Sequence, residues 1–241
     1  MIYLMKFLFI FKKKLNNVTV LYCLMDANKR LDKMLHDSIF TSNLTLLKYF
    51  SYDSIYSLCN PMLKRFCSEI LPKINNKIQW FNPELSSMER ILLSANYPDL
   101  SGLGIHNTEM ETALYLFTDQ NCLIKTFKNQ ISSLVIGTKN RIGVTDDMNT
   151  LIFTNILTIF FNLKYLNFDP SLICYPPISF QNSFPTIFSL TLLEWHVKVT
   201  HIDDYLYLLD GHFNQLRSFY VHILLFSIRS TSILKLNKVC F

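Results

Sequence analysis

Glycine is scarce. Five glycines in 241 residues leave little room for a loop that cradles phosphate on successive backbone amides, and no such motif occurs. Six cysteines (Cys23, Cys59, Cys67, Cys122, Cys174 and Cys240) show no C-x-x-C and no paired spacing. That pattern argues against a zinc clip or a disulfide scaffold. A reduced, intracellular protein, cytoplasmic or nuclear, is expected. The longest uncharged apolar-rich runs lie near residues 7–11, 151–163 and 218–228, all short of the ~20 residues that span a bilayer. No membrane partner is expected. The apolar stretch ahead of Lys12, Lys13 and Lys14 has its charge on the wrong side for a secretory leader, and no small-residue cleavage site follows. Net charge is +5, but apart from that triplet the basic residues are scattered. The clustered basic face of a nucleic-acid binder is therefore missing.

Groupings that suggest catalysis are equally thin. His36, His106, His196, His201, His212 and His222 are dispersed, and none joins a cysteine or carboxylate at ligand spacing. Asp146-Asp147 and Asp203-Asp204 are carboxylate pairs, but neither has a nucleophile–base partner, and helix capping explains them better. No enzymatic activity, cofactor or metal is expected.

What the chain does contain is apolar: half its residues are apolar and 14% aromatic, ample material for a core. Much of it is arranged in one recurring phrase, Leu/Ile-x-x-apolar-x-apolar. The copies are Leu100/Leu103/Ile105, Ile131/Leu134/Ile136, Leu163/Leu166/Phe168, Leu192/Trp195/Val197 and Leu216/Phe219/Val221. Their first positions are separated by 31, 32, 29 and 24 residues, and a weaker copy, Ile78/Phe81, lies 22 residues before the first. In a strand, the last two apolar positions of the phrase share a face. The first anchors the bend into the strand.

Most copies follow a segment that reads as a helix. Ser86-x-x-Glu89 and Thr108-x-x-Glu111 have the form of capping boxes, and Thr145-Asp146-Asp147 places acid at a positive helix end. Asn60-Pro61 opens another helix, which Pro72 is expected to end. A period of one short strand and one helix is the signature of a leucine-rich-repeat-like solenoid. Each unit leaves an apolar face uncovered, and its neighbours bury it. Helix crossovers would bring the strands into a parallel sheet. The expected fold class is therefore α/β: a solenoid of short parallel strands and helices. Leu103, Leu134, Leu166, Trp195 and Phe219 should stack and be nearly inaccessible. The Asn that such repeats carry eight positions after the first leucine is replaced by Thr108, Lys139, Ser171, Thr200 and Leu224, so the repeat is degenerate.

The N-terminal stretch has a different pattern. Leu8, Phe11, Leu15, Val20, Leu21 and Leu24 are followed by Ala27-Asn28-Lys29-Arg30-Leu31 and Leu35. This series resembles the later two-thirds of an F-box, which closes near Val-Asn/Cys-Lys/Arg-Arg-apolar. Tyr3, Leu4 and Lys6 stand where the box opens with Leu, Pro and Glu, so the sequence reads as starting inside the box. From residue 37 onward, phrases such as Ile70-Leu71-Pro72 and Phe161-Asn162-Leu163-Lys164-Tyr165-Leu166 resemble the degenerate repeat region of F-box domain-containing proteins.

The resemblance implies an incomplete F-box-like helical segment over 1–36 and a leucine-rich-repeat-like domain over 37–241. It implies a substrate-recruiting adaptor of a cullin–RING ubiquitin ligase. Leu8, Phe11, Leu15, Val20 and Leu21 would face a Skp-type linker protein, and the solenoid would hold a protein substrate. The alternative is a plain protein–protein interaction solenoid whose box no longer engages a ligase.

Overall fold

The computed structural model describes residues 10, 15–51, 54–57, 59–83, 85–118, 120–139, 147–168, 177–180, 189–210 and 213–225. The fold is α/β, with mostly parallel strands alternating with helices. Two compact units divide the chain, Met1–His106 and Asn107–Phe241.

The first unit opens with three short helices, α1 (Asn17–Leu24), α2 (Lys29–Leu35) and α3 (Ser38–Thr41). Each begins at a side chain that accepts from a free amide: Asn16 from Thr19, Asn28 from Arg30 and Asp37 from Ile39. Strand β1 (Asn43–Thr45) follows, then a hairpin of β2 (Leu47–Ser51) and β3 (Ser54–Ser57). Helix α4 (Asn60–Arg65) has Cys59 at its cap, so Asn60 and Pro61 occupy its first turn, one position inside the expected start.

Pro72 does not end this helix. A wide π turn at Phe66–Ile70 intervenes, and the chain continues as α5 (Leu71–Ile74). A proline lacks the amide of a regular turn and crowds the carbonyl four residues back. The wider winding just upstream, closed by the Leu71 amide on the Phe66 carbonyl, lets the helix pass through it. Strand β4 (Trp80–Asn82), helix α6 (Leu85–Leu92) and strand β5 (Gly102–Glu109) complete the unit, with the division falling inside β5. Strands β1, β4 and β5 lie side by side and parallel, with Leu44 opposite Phe81 and Phe81 opposite Leu103.

The second unit runs through α7 (Met110–Leu116), α8 (Cys122–Phe127), β6 (Ser133–Lys139), α9 (Asp147–Ile159), β7 (Tyr165–Asn167), β8 (Glu194–His201), α10 (Ile202–Leu209) and β9 (Ser218–Leu225). Strands β6 to β9 are parallel neighbours in chain order. Their register pairs equivalent phrase positions: Leu134 with Leu166, Leu166 with Trp195, and Trp195 with Phe219. One expected cap is placed otherwise: Thr108 belongs to β5, and Glu109 occupies the N-cap position of α7. Ser86 is the second residue of α6. Of the third, only Asp147, the first residue of α9, is described.

The core is built from the phrase. Leu100, Ile131, Leu163 and Leu192 are fully buried, as are Leu134, Leu166 and Trp195, and Leu103 is nearly so. Each such side chain contributes about 1.5–3 kcal/mol on leaving water. Phe219 departs from expectation and is half-buried, because β9 ends the strand order and no further described strand covers it.

A backbone feature recurs at five steps between successive copies of the phrase. The amides one and two places after the first phrase position both donate to a single carbonyl of the preceding rung. In the first unit Gln79 and Trp80 donate to Ser42, each at 2.9 Å, and Ser101 and Gly102 donate to Gln79 at the same distance. In the second, Lys164 and Tyr165 reach Ser132 at 2.8 and 3.1 Å, Leu193 and Glu194 reach Lys164 at 2.8 and 3.0 Å, and Arg217 and Ser218 reach Leu193 at 2.8 and 3.1 Å. A carbonyl has two lone pairs, so one oxygen serves both donors. The accepting residue always holds the same place in its own phrase. That also identifies Thr41/Leu44/Leu46 as a rung, with all three side chains buried.

Candidate interaction surface

Alternation along each strand sends one set of side chains into the core and leaves the other on the opposite, outward face. In the first unit that face carries Thr45, Trp80, Asn82, Gly102, Gly104 and His106. The Trp80 ring lies across Gly102, where an added Cβ would come within 2.0 Å of it. Asn82 likewise occupies the space over Gly104, its Oδ1 1.9 Å from where a Cβ would be. Trp80 Nε1 donates to Asn82 Oδ1 at 2.8 Å, and Asn82 Nδ2 donates to Thr45 Oγ1 at 3.0 Å. Two of the five glycines are thus explained by side chains that cross from β4. His106 is half-buried beside them, its Nδ1 has no hydrogen-bond partner among the described residues, and burial holds its pKa below the ordinary imidazole value.

In the second unit the outward face is a column of rings. His196 stacks on Tyr220, with centroids 4.2 Å apart and planes 14° apart, and lies 5.6 Å from Tyr165. Its Nε2 meets Glu194 Oε1 at 2.8 Å. Lys198 is opposite His222, and Tyr220, His222 and Leu224 are exposed. His196 and His222 thus lie on the outward face. Flat π faces with adaptable polar groups between them suit contact with another protein. Among the described residues, no three His, Cys, Asp or Glu side chains come together to hold a metal ion.

No family model, no curated protein and no solved structure matches this chain. The functional reading therefore rests on the residues themselves.

Of the residues expected to face a linker protein, Leu8 and Phe11 lie outside the described residues. Leu15 is exposed, whereas Val20 and Leu21 have no accessible surface in α1. Asn17 ties that helix down, its Nδ2 donating to the Ile39 carbonyl at 3.3 Å and the Asn43 carbonyl at 2.9 Å. Around the same segment, Arg65 lies 4.8 Å over the Tyr22 ring and donates to the Tyr22 carbonyl at 3.0 Å. Lys73 grips both Asp26 carboxylate oxygens, at 2.6 and 2.7 Å. Val20 and Leu21 are interior groups in this arrangement, and Leu15 is the described member of the set that shows surface.

The carboxylate pair at Asp203-Asp204 has a structural role. Asp204 is fully buried and accepts from the His201 amide at 2.9 Å and the Phe180 amide at 3.0 Å. The second bond holds a short segment, residues 177–180, that continues the lane of β7 along β8 by pairing Ile178 with Val199. Thr150 Oγ1 donates to the Ser179 carbonyl at 2.7 Å, and Asn149, which accepts from Thr138 Oγ1 at 3.1 Å, donates from Nδ2 to the Pro177 carbonyl at 3.4 Å. These bonds, with that of Asp204, latch the segment to α9 and α10. Neither the latch nor the outward face was legible as a site in the sequence; an isolated buried polar residue such as Asn149 gives no periodic signal. Cys23, Cys59 and Cys122 are exposed and form no disulfide, and burial pushes up the pKa of the half-buried Cys67. Among the described residues no helix is long and apolar enough to cross a membrane.

Proposed function

We propose that this chain is a non-enzymatic recruiting adaptor built as a leucine-rich-repeat-like solenoid. It holds a protein partner on its outward strand face, and an F-box-like N-terminal segment presents that partner to a cullin–RING ubiquitin ligase through a Skp-type linker. One observation carries the solenoid: the paired amides that converge on one carbonyl, at the same phrase position, five times. Equivalent hydrogen bonds at equivalent positions are what stacked copies of a single unit produce. Solenoids of this class work mainly by binding. The ligase half rests on the resemblance of residues 8–35 to an F-box.

A second reading, an interaction solenoid with no ligase, is favoured by the complete burial of Val20 and Leu21. Co-purification with a Skp-type linker separates the two. The adaptor reading expects a complex with the unmodified chain that is lost in Phe11→Asp/Leu15→Asp, since a desolvated charge at an interface costs several kcal/mol. Changing Tyr3→Leu, Leu4→Pro and Lys6→Glu restores the opening of the box and should strengthen it. If neither version retains the linker, the second reading stands.

A further inference from the structure

The basic side chains around the N-terminal helices divide into those used within the first unit and those left over. Arg65 pairs with Glu69 at 3.1 Å and donates to the Tyr22 carbonyl, and Lys73 holds Asp26. Lys77 Nζ donates to the carbonyl of His36, the C-cap of α2, at 2.8 Å, where a cation meets the negative end of the helix. The nearby carboxylates are used as well. Asp26 is taken by Lys73, Asp32 accepts from the Asp26 amide at 2.7 Å, and Asp37 accepts from the Ile39 amide at 2.9 Å. Lys29, Arg30 and Lys33 are the remainder. All three are exposed, and among the described residues they enter none of this unit's salt bridges.

The three share one face. Helix positions four apart lie one above the other, so Lys29 and Lys33 form a column, with Arg30 and the half-buried Met34 beside it. Leu31 and Leu35 take the opposite side, where Leu35 is fully buried. The backbone beneath this face is fixed. Asn28 accepts from the Arg30 amide at 2.8 Å, Asp32 ties the flank to Asp26, and Lys77 holds the C-cap. A backbone already ordered loses little freedom when a partner arrives.

We propose that the outward face of α2 is a docking surface for an acidic patch on a protein, and that this protein is the Skp-type linker. The proposal rests on the adaptor reading above and moves its contact. Val20 and Leu21, expected to meet the linker, are interior. Lys29 and Arg30 belong to the Asn28-Lys29-Arg30-Leu31 stretch that carries the F-box resemblance, and they stand at the surface. Charge complementarity selects an anionic partner. Three cations hold a protein to an anionic membrane only weakly and reversibly, and α2 has no aromatic side chain on which a base could stack. A protein surface is the occupant that remains.

Biolayer interferometry of the full chain on immobilised linker tests this. Lys29→Glu/Arg30→Glu/Lys33→Glu should raise the dissociation constant at least about tenfold while leaving the melting curve unchanged, because the three sites are exposed. Raising NaCl from about 50 to about 300 mM should weaken the unmodified chain more than this variant. Lys125→Glu/Lys164→Glu/Arg217→Glu makes the same charge change at exposed sites of the second unit and should bind as the unmodified chain does. If the α2 variant binds as tightly as the unmodified chain, the proposal is overturned and the adaptor reading stands. If both variants lose affinity equally, net charge rather than this face is responsible, which overturns it as well. If the unmodified chain does not bind the linker, the adaptor reading fails and the proposal falls with it. Sedimentation with phosphatidylserine vesicles that is lost in the α2 variant would then assign the face to a membrane.

Discussion

The indole of Trp195 lies flat against the ring of Phe153, with centroids 5.0 Å apart and planes 6° apart. This contact joins helix α9 to strand β8 in the middle of the second unit. Phe213 and Phe219 complete the surround, at 4.8 and 5.0 Å from the indole centroid. Trp195 thus replaces the leucine of its phrase with a larger group that three aromatic neighbours accommodate. Its Nε1 is buried with no hydrogen-bond partner among the described residues.

Two substitutions separate the packing of Trp195 from its polar atom. Trp195→Ala should cost about 3–5 kcal/mol, through lost transfer energy and a cavity. Trp195→Phe should cost much less, because the N–H it removes has no acceptor to lose. Urea unfolding with fitted midpoints and slopes measures both. Equal losses would mean that the stack is held by something other than aromatic packing.

The rung positions should behave alike despite their separation in the chain. Leu134→Ala and Leu166→Ala are each expected to cost about 2–5 kcal/mol. As the two residues face one another across β6 and β7, their double variant should deviate from additivity. Additive losses of less than about 1 kcal/mol would place these side chains outside a shared core.

Asp204 offers a different test. Asp204→Ala should destabilise by about 1–3 kcal/mol, since two backbone amides lose their acceptor. In an exchange experiment the Phe180 and His201 amides should lose protection together. Loss at only one would show that the carboxylate does not bridge them.

Acid should weaken the protein through His106. Its pKa is lowered by burial, so the neutral form is the one that fits. The stability this contributes is fully present above about pH 6.5, the unfolded value, and is lost as pH falls through the lower folded value. Melting temperatures of the native chain should therefore fall between pH 7 and 5 more than those of His106→Gln. Parallel profiles would remove His106 as the cause.

Two apolar positions near α1, Leu15 ahead of it and Val20 within it, are expected to respond differently to charge. Val20→Asp buries a carboxylate at a position with no accessible surface and should be severely destabilising. Leu15→Asp, at an exposed site, should change stability by no more than about 0.5 kcal/mol. Circular dichroism melts of the two variants give the comparison, and it identifies which residues remain available to a partner.

The rungs were legible because an apolar phrase at fixed offsets reports which side chains face inward. Leu100, Ile131, Leu163 and Leu192 all lie where that phrase puts the strand entrance. The rung at Thr41 was missed because a threonine holds its first position, and the β2–β3 hairpin because nothing in Leu47–Ser57 repeats. Pro72 misled because a proline ends a regular helix, and the π turn that absorbs it has no signature in residue type. The Thr108 box failed for a related reason: its spacing is local, whereas β5 is extended by pairing with a distant strand. The shared carbonyls are backbone features and carry no side-chain code. Only the outward positions could name a partner, and alternation says merely that they are outward.

Trp80 and Gly102 form a pair that can drift only together. Any side chain at 102 displaces the indole, and a smaller group at 80 leaves a hole over the glycine. Asn82 and Gly104 stand in the same relation. In divergent copies of this gene these two couples should therefore covary across β4 and β5. A glycine lost at 102 would be accompanied by a shrunken residue 80, and the pattern would mark the strand register in descendants whose repeat phrase has faded beyond recognition.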